Sequence, residues 1–411
     1  MPRVIFHVQH LLGIGHLQRS LHIAEALVAR GIAVTLVQGG PPRPELTSGI
    51  DIVQLPPIRA RDATFALVDE SGAPVDDVLR AARCERLLSV FAEMKPDTVV
   101  IEGFPFARRA FRFELDPLIA AARAADVPVI CSVRDIPTVR PDPARLASIA
   151  ARVRDDFAAV LVHGDAGFIP FDVPFPAAPE IADLLHYTGY VAADSLSVPG
   201  GGEGRGEVGD SRGVAVFPPH PPSAARWAPP SPPSGRRGEK QAEILVSVGS
   251  GAAGRALVTA ALEARRQGCL AERPWRILAG SSLTDTELAA AQRDAPANVV
   301  IERFRADFPA LLWRCHVSVS QAGYNTVLDL LAARTRAVLV PFAAERETEQ
   351  LIRAEHLATR GAAVLLRESD LTPAALAAAI GRAAAVEPRP IALETDGARR
   401  SAALIADLIS R

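Results

Sequence analysis

The run Ser320-Gln321-Ala322-Gly323-Tyr324-Asn325-Thr326, followed by Asp329 and then by Glu349-Gln350 after Pro341-Phe342, is the part of this chain best suited to ligand chemistry. An apolar strand ending at Ser320, a tight turn at Gly323 and a helix opening near Asn325 leave backbone N–H groups and the positive end of a helix dipole free for an anion. Asp329 falls one turn into that helix, where a carboxylate can accept hydrogen bonds from a diol such as ribose. Glu349 and Gln350 end an acidic, amide-bearing loop. Together these residue types suit a sugar nucleotide. Gly249-Ser250-Gly251 joins another strand to a helix, a geometry that suits a pyrophosphate. It is not a P-loop, because no Gly-Lys-Ser/Thr follows, so ATP hydrolysis is disfavoured.

A second constellation lies near the N-terminus, at Gly13-Ile14-Gly15-His16-Leu17-Gln18-Arg19. Position 18 is Gln and no third glycine follows, so the dinucleotide fingerprint is absent and a nicotinamide enzyme is disfavoured. A histidine at a helix start titrates near neutrality and suits a general base for a sugar hydroxyl or a water. The plainer reading is a helix-capping histidine. Glu102 and Asp135 each end a predicted strand on the same edge. Either can orient His16 or bind an acceptor hydroxyl, unless it is simply a surface-loop carboxylate. Phe104 to Phe113 interleaves four aromatics with Arg108, Arg109 and Arg112. That segment reads as an acceptor or membrane-surface patch, or as a helix that buries its aromatics while its arginines reach solvent.

These residues need a scaffold of short buried strands that end on one edge. The spacing predicts strands at Arg3–Val8, Ala33–Val37, Thr98–Ile101, Pro128–Val133, Ala159–His163 and Tyr187–Val191, with helices at Leu17–Arg30 and Val78–Met94 among those between them. A helix from about Gly254 and strands Glu243–Val248, Trp275–Ala279, Asn298–Ile301, His316–Ser320 and Ala337–Pro341 restart the alternation. Such alternation means parallel, doubly wound α/β sheets. Helices Pro373–Ala385 and Thr395–Ser410 are expected to complete or strap the second domain. Between the halves, residues 192–242 hold nine prolines and nine glycines, too little apolar surface to offset ordering entropy. The expected organisation is therefore an acceptor-side domain over 1–191, a disordered linker over 192–242 and a donor domain over 243–411. A ligand cleft would lie between the carboxyl ends of the two sheets.

Composition sets the outer bounds. A chain of 411 residues, 49% apolar, is too long for one ordinary core and ample for two. The net charge of −2 argues against nucleic acid as a partner. The four cysteines, Cys84, Cys131, Cys269 and Cys315, are widely spaced and read as free thiols in a reducing compartment rather than as a metal cluster. With no leader before Val4 and no long uncharged apolar run, the expectation is a cytoplasmic protein.

The chain resembles the GT-B glycosyltransferases, close to the group containing the N-acetylglucosaminyltransferase that completes lipid II. More narrowly, it is similar to a set of bacterial predicted glycosyltransferases sharing Gln9-His-Leu-Leu-Gly-Ile-Gly-His16, Phe104-Pro-Phe-x-Arg-Arg109, Ser132-Val-Arg-Asp135, Tyr187-Thr-Gly-Tyr-Val191, Ala322-Gly-Tyr-Asn-Thr326 and Glu347-x-Glu-Gln350. The resemblance implies two Rossmann-like domains facing across a cleft. It also implies that Gly249 to Arg255 and Gly323 to Thr326 hold the diphosphate and Asp329 the ribose. The base would bind by backbone near Phe304, the donor sugar at Gln350 with Glu349, and the acceptor beside Gly13, Gly15 and His16. Gln321, Tyr324 and Asn325 fall on the donor side, and Arg108, Arg109 and Arg134 on the acceptor side. The loop after Pro341-Phe342 is one residue longer than in the lipid II enzyme, and Arg134-Asp135 replaces an asparagine loop, so donor sugar and acceptor need not match that enzyme.

The implied activity is inverting, metal-independent transfer from a nucleotide-sugar, foremost a UDP-sugar, with no cofactor. The acceptor is a hydroxyl compound, a lipid-linked or cell-envelope glycan being one class, reached from the inner face of the membrane by a monomer or weak dimer. A nucleotide-sugar hydrolase of sialic-acid-like pathways shares the Gly13, Gly15, His16, Arg19 pattern. An epimerase on the same fold and a non-catalytic sugar-nucleotide binder are further readings.

Overall fold

A computed structural model describes residues 1–11, 15–43, 49–61, 66–137, 142–191, 242–248, 254–280, 282–305, 307–342 and 348–410. The expected linker apart from Ala242, the Gly13 position, the Gly249-Ser250-Gly251 turn and most of the acidic loop after Phe342 lie outside the described residues.

The first half runs β1 (Arg3–Val8), α1 (Gly15–Val28), β2 (Ala33–Gln38), β3 (Asp51–Gln54), the short antiparallel pair β4 (Arg59–Ala60) and β5 (Leu67–Val68), and α2 (Asp77–Met94). It continues with β6 (Thr98–Glu102), α3 (Arg112–Ala124), β7 (Val129–Arg134), α4 (Pro143–Asp156), β8 (Ala159–His163) and β9 (Leu185–Tyr187). Local chemistry sets the boundaries. Asp76 caps α2 by accepting from the Leu79 N–H at 2.8 Å, and Asp142 with Pro143 opens α4. The larger sheet has the order β3-β2-β1-β6-β7-β8-β9, all parallel. Its inner strands are buried on both faces, hence their near-continuous apolar runs.

The second half runs β10 (Ile244–Ser247), α5 (Gly254–Arg266), β11 (Trp275–Leu278), α6 (Asp285–Arg293), β12 (Val299–Glu302), α7 (Phe308–Arg314), β13 (Val317–Ser320), α8 (Tyr324–Ala333) and β14 (Ala337–Leu339). It ends with α9 (Glu349–Thr359), β15 (Val364–Leu365), α10 (Pro373–Ala385) and α11 (Gly397–Ile409). This sheet is also parallel, in the order β12-β11-β10-β13-β14-β15. Strand order reverses beside β1 in one sheet and beside β10 in the other. Ligands bind at such switch points, outside the carboxyl ends of the strands. His16 follows β1, Glu102 ends β6, and Gly323 follows β13, so these candidate groups gather at the two switch points.

One expectation is corrected. Helix α10 packs on the second sheet, but α11 does not: Ala402 and Ile405 join a core cluster with Val4, Phe6, Leu17, Leu21 and Leu27 of the first domain. The last helix thus straps the N-terminal domain. Gly189 and Gly397 allow the crossing, since a Cβ on Gly189 would meet the Glu394 carbonyl at 2.7 Å and one on Gly397 the Gly189 carbonyl at 2.4 Å. For Phe104 to Phe113, the second of the two expected readings holds for the aromatics. Phe104, Phe106 and Phe111 are buried, with Phe106 edge-on to Phe171 and Phe175, so these rings form core rather than an acceptor or membrane patch. Among the described residues, no helix is long and apolar enough to cross a membrane.

The two halves share a core. Ile136, Phe168, Ile169 and Tyr190 of the first pack in one apolar cluster with Tyr324, Val327, Leu328, Leu339 and Leu357 of the second.

Candidate active site

On the acceptor side, Glu102 organises the chemistry. Its Oε1 accepts from His16 Nδ1 at 2.6 Å and from Arg19 Nη2 at 2.5 Å. His16 is 22% exposed and Glu102 1%, so the imidazole keeps an edge toward solvent while its partner stays inside. With Nδ1–H donating to Glu102, the lone pair rests on Nε2. Burial would raise Glu102, but His16, Arg19 and Arg108 together hold it well below the usual carboxylate range. Burial, aided by Arg108 and Arg19 against the pull of Glu102, holds His16 down at about 3. The histidine is therefore neutral at pH 7 and, without substrate, does not titrate near neutrality as expected from sequence.

Arg108 lies 3.9 Å from Glu102 through its Nε, on a residue in the left-handed region (φ 59°). That Nε and Glu102 Oε2 are buried without hydrogen-bond partners among the described residues, and the His10 ring is buried beside the Pro41 backbone. His10 is held near about 4 by burial and by Arg43 and Arg108. Such polar groups are costly to bury unless something bonds them. Arg109 sits half-buried in a short 3₁₀ turn.

Asp135 departs from expectation. It is buried, with Oδ1 accepting from Arg353 at 2.9 Å and from its neighbour's N–H at Ile136, and Oδ2 from Tyr190 at 3.1 Å. A carboxylate so engaged is an anchor between domains rather than a free base. Arg134 likewise pairs with Glu349 at 2.6 Å.

On the donor side, α8 begins at Tyr324 after Gly323, and no side chain caps its first turn. Its start faces α1 directly: a Cβ on Gly15 would stand 3.7 Å from the Asn325 amide nitrogen. Thr326 is half-buried in the first turn, and Gln321 lies half-buried between β13 and the helix. Asp329 is largely buried with no compensating charge among the described residues, and burial pushes it up to about 6. Gln350 Oε1 accepts from the Ala322 and Phe342 N–H groups at 3.2 and 3.1 Å, which ties the α9 start to the turn before α8. Phe304 is 77% exposed on the loop after β12, at the same carboxyl edge.

Three expected donor ligands are otherwise engaged. Arg255 pairs with Glu287, the Nη2–Oε2 distance being 2.9 Å. Glu349 is bonded by both Arg134 and Arg353. Tyr324 is 8% exposed; its hydroxyl donates to the His163 carbonyl and accepts from the Val191 N–H, so it joins the domains. Sequence reasoning left Arg19 and Arg353 out of the site. Each had a signal: Arg19 falls three residues after His16 and Arg353 four after Glu349, spacings that share a helix face.

Comparison with known proteins agrees with this fold. Residues 243–409 match the glycosyltransferase family 28 C-terminal domain, and residues 15–205 match the glycosyl transferase 4-like domain. A relative from Xanthomonas axonopodis pv. citri, named UDP-N-acetylglucosamine--N-acetylmuramyl-(pentapeptide) pyrophosphoryl-undecaprenol N-acetylglucosamine transferase, is 40% identical over 90 residues, 22% of this chain and 21% of its own. One of the same name from Nitrobacter hamburgensis is 34% identical over 118 residues, 28% of this chain and 32% of its own. The matched stretch is thus a third or less of these relatives. Among solved structures, MurG of Acinetobacter baumannii has a TM-score of 0.56 at 19% identity, covering 100% of this chain and 99% of its own. The spinosyn rhamnosyltransferase SpnG complexed with thymidine diphosphate also reaches 0.56, at 16% identity, covering 100% of this chain and 96% of its own. At such identities the likeness establishes the two-domain fold.

Proposed function

By its fold and the families of its two domains the chain belongs to the GT-B glycosyltransferases, and from that premise we propose that it transfers a sugar from a nucleoside diphosphate to a hydroxyl acceptor. One observation carries the reading: the Glu102-held imidazole of His16 stands at the start of α1, opposite the uncapped start of α8.

The proposed step is a single displacement. The acceptor hydroxyl gives its proton to His16 Nε2 as its oxygen bonds the anomeric carbon. The bond from that carbon to the diphosphate oxygen breaks, and its electron pair leaves with the nucleoside diphosphate. Attack from the face opposite the leaving group inverts the anomeric centre. Glu102 stabilises the imidazolium that forms, while the α8 N–H groups receive the developing diphosphate charge. With that charge met by a helix terminus, the step is proposed to need no metal. The bound diphosphate would also offset Arg19 and Arg108, letting His16 rise toward a useful basicity.

Asp329 is proposed to hold the ribose and Gln350 the donor sugar. UDP is the favoured carrier, since the relatives' names specify a UDP-sugar. His10, Arg108 and the free edge of Glu102 would receive the acceptor's polar groups. An anion-bearing acceptor such as a lipid-linked glycan suits these arginines and would bring the protein to the inner face of a membrane.

Thermal-shift measurement against UDP-, GDP- and dTDP-sugars tests the donor site, because ligand binding to the folded state raises its melting temperature. Stabilisation by UDP compounds above the others supports the reading. A flat response to all three, with native fold intact, would sink it.

A further inference from the structure

We infer that Arg353 is a positioning residue that sets the register between the donor turn and the His16–Glu102 pair, an inference that rests on the glycosyl-transfer reading above. Its guanidinium is 1% exposed and meets four oxygens from both domains. Nη2 donates to Asp135 Oδ1 at 2.9 Å and to Glu349 Oε1 at 2.9 Å, Nε lies 3.3 Å from Asp135 Oδ2, and Nη1 donates to the Ala322 carbonyl at 2.8 Å. Glu349 then passes to Arg134 at 2.6 Å. Two charges from each domain thus alternate in sign across the boundary. Tyr190 and the Ile136 N–H donate to the same Asp135.

Buried ion pairs are poor sources of net stability, because desolvation offsets their attraction, and fixing one arrangement is their best-attested use. Here the arrangement adjoins the chemistry on both sides. The Ala322 peptide whose carbonyl takes Arg353 gives its N–H to Gln350 Oε1. The Tyr324 ring lies under Arg353 and under Arg19, each guanidinium 5.7 Å from its centroid. Arg19 in turn bonds Glu102, the partner of His16. Every link from clamp to base is a direct contact. A small slip along that line displaces the base from the anomeric carbon, and displacements near 1 Å cost on the order of 10²-fold in rate. The nucleotide contacts proposed for Asp329 and the α8 start lie in one domain and are untouched by such a slip.

The test is the double variant Asp135→Asn/Arg353→Gln. A single change would strand a buried charge and risk unfolding, whereas here Glu349 keeps Arg134. With UDP-sugar and acceptor, kcat is expected to fall roughly 10–100-fold while UDP affinity holds within about threefold, and the share of donor lost to water is expected to rise. Conserved kcat and partition, or UDP affinity falling in step with kcat, would overturn the inference. Small-angle scattering of both proteins tests the clamp without turnover. Should wild type transfer nothing, the functional reading fails by itself, and the scattering then decides. A broader pair-distance distribution in the variant supports the clamp, and an unchanged one rejects it.

Discussion

Replacing Asp329 with Asn should strengthen the fold and weaken nucleotide binding at once. Its carboxyl is pushed from 3.8 to about 6 by burial, with no cation among the described residues near enough to offset the loss of water. Between those values the folded chain binds a proton that the unfolded chain has released, so stability falls as pH rises through the window and stays level above it. The full difference corresponds to about 3 kcal/mol, and roughly 1–3 kcal/mol once partial exposure is allowed for. Asn carries no such penalty. The variant should therefore melt roughly 2–10 °C higher at pH 8 and close to wild type at pH 4. Against that gain, a hydrogen bond to a charged group is worth about 1.5–3 kcal/mol, so UDP should bind at least about tenfold more weakly. Wild-type affinity should also decline below pH 6 as Asp329 takes up its proton, whereas the variant's should not. Calorimetric melts from pH 4 to 8 and UDP titrations at each pH measure both effects. A variant no more stable than wild type at pH 8 refutes the burial argument. Unchanged affinity refutes the ribose role.

Glu102→Gln removes the charge that would steady imidazolium at His16, and kcat should drop on the order of 10²-fold; an unaltered rate would show that the pair is not the base. The same change leaves Arg19 and Arg108 without their carboxylate, so the variant should lose several kcal/mol at neutral pH, read by urea titration. Because Glu102 is held well below its ordinary value, its contribution is present above that ordinary value and fades as pH falls, so the two proteins should converge in acid. Chelation with EDTA should leave the rate of nucleoside diphosphate release unchanged, and loss restored by added Mg²⁺ would contradict a helix-borne leaving group. Phe106→Ala, which empties a fully buried site between Phe171 and Phe175, should destabilise by about 3–5 kcal/mol, and near-neutral behaviour in denaturant would contradict its place in the core.

Much of the scaffold was legible because parallel strands buried on both faces must be apolar throughout. Arg3–Val8 and Ala159–His163 therefore announce themselves, and Pro373 marks a helix start by its own geometry. Groups placed by a local turn were legible too: Gly323 ahead of α8, and His16 at the opening of α1. What pattern could not supply was partnership across distance. Asp135 and Arg353 are 218 positions apart, and a carboxylate at a strand end looks the same whether it awaits a substrate or an arginine. The same limit hid the destination of α11, whose apolar stripe would suit either sheet. It also hid the state of His16, since burial by neighbours, rather than residue type, moves its titration. Phe104 to Phe113 left two readings open for a related reason: alternating aromatics and arginines describe a patch only if the rings face water, and here Phe104 and Phe106 face Phe157, Phe171 and Phe175.

The central claim is that His16 activates an acceptor while the facing turn releases a nucleoside diphosphate. UDP release from a panel of UDP-sugars, followed with and without hydroxyl acceptors in wild type and His16→Ala, tests it most directly. Release should depend on acceptor and nearly vanish in His16→Ala, although UDP still binds. Release of free sugar at the same rate without any acceptor, or binding with no turnover in wild type, would contradict it.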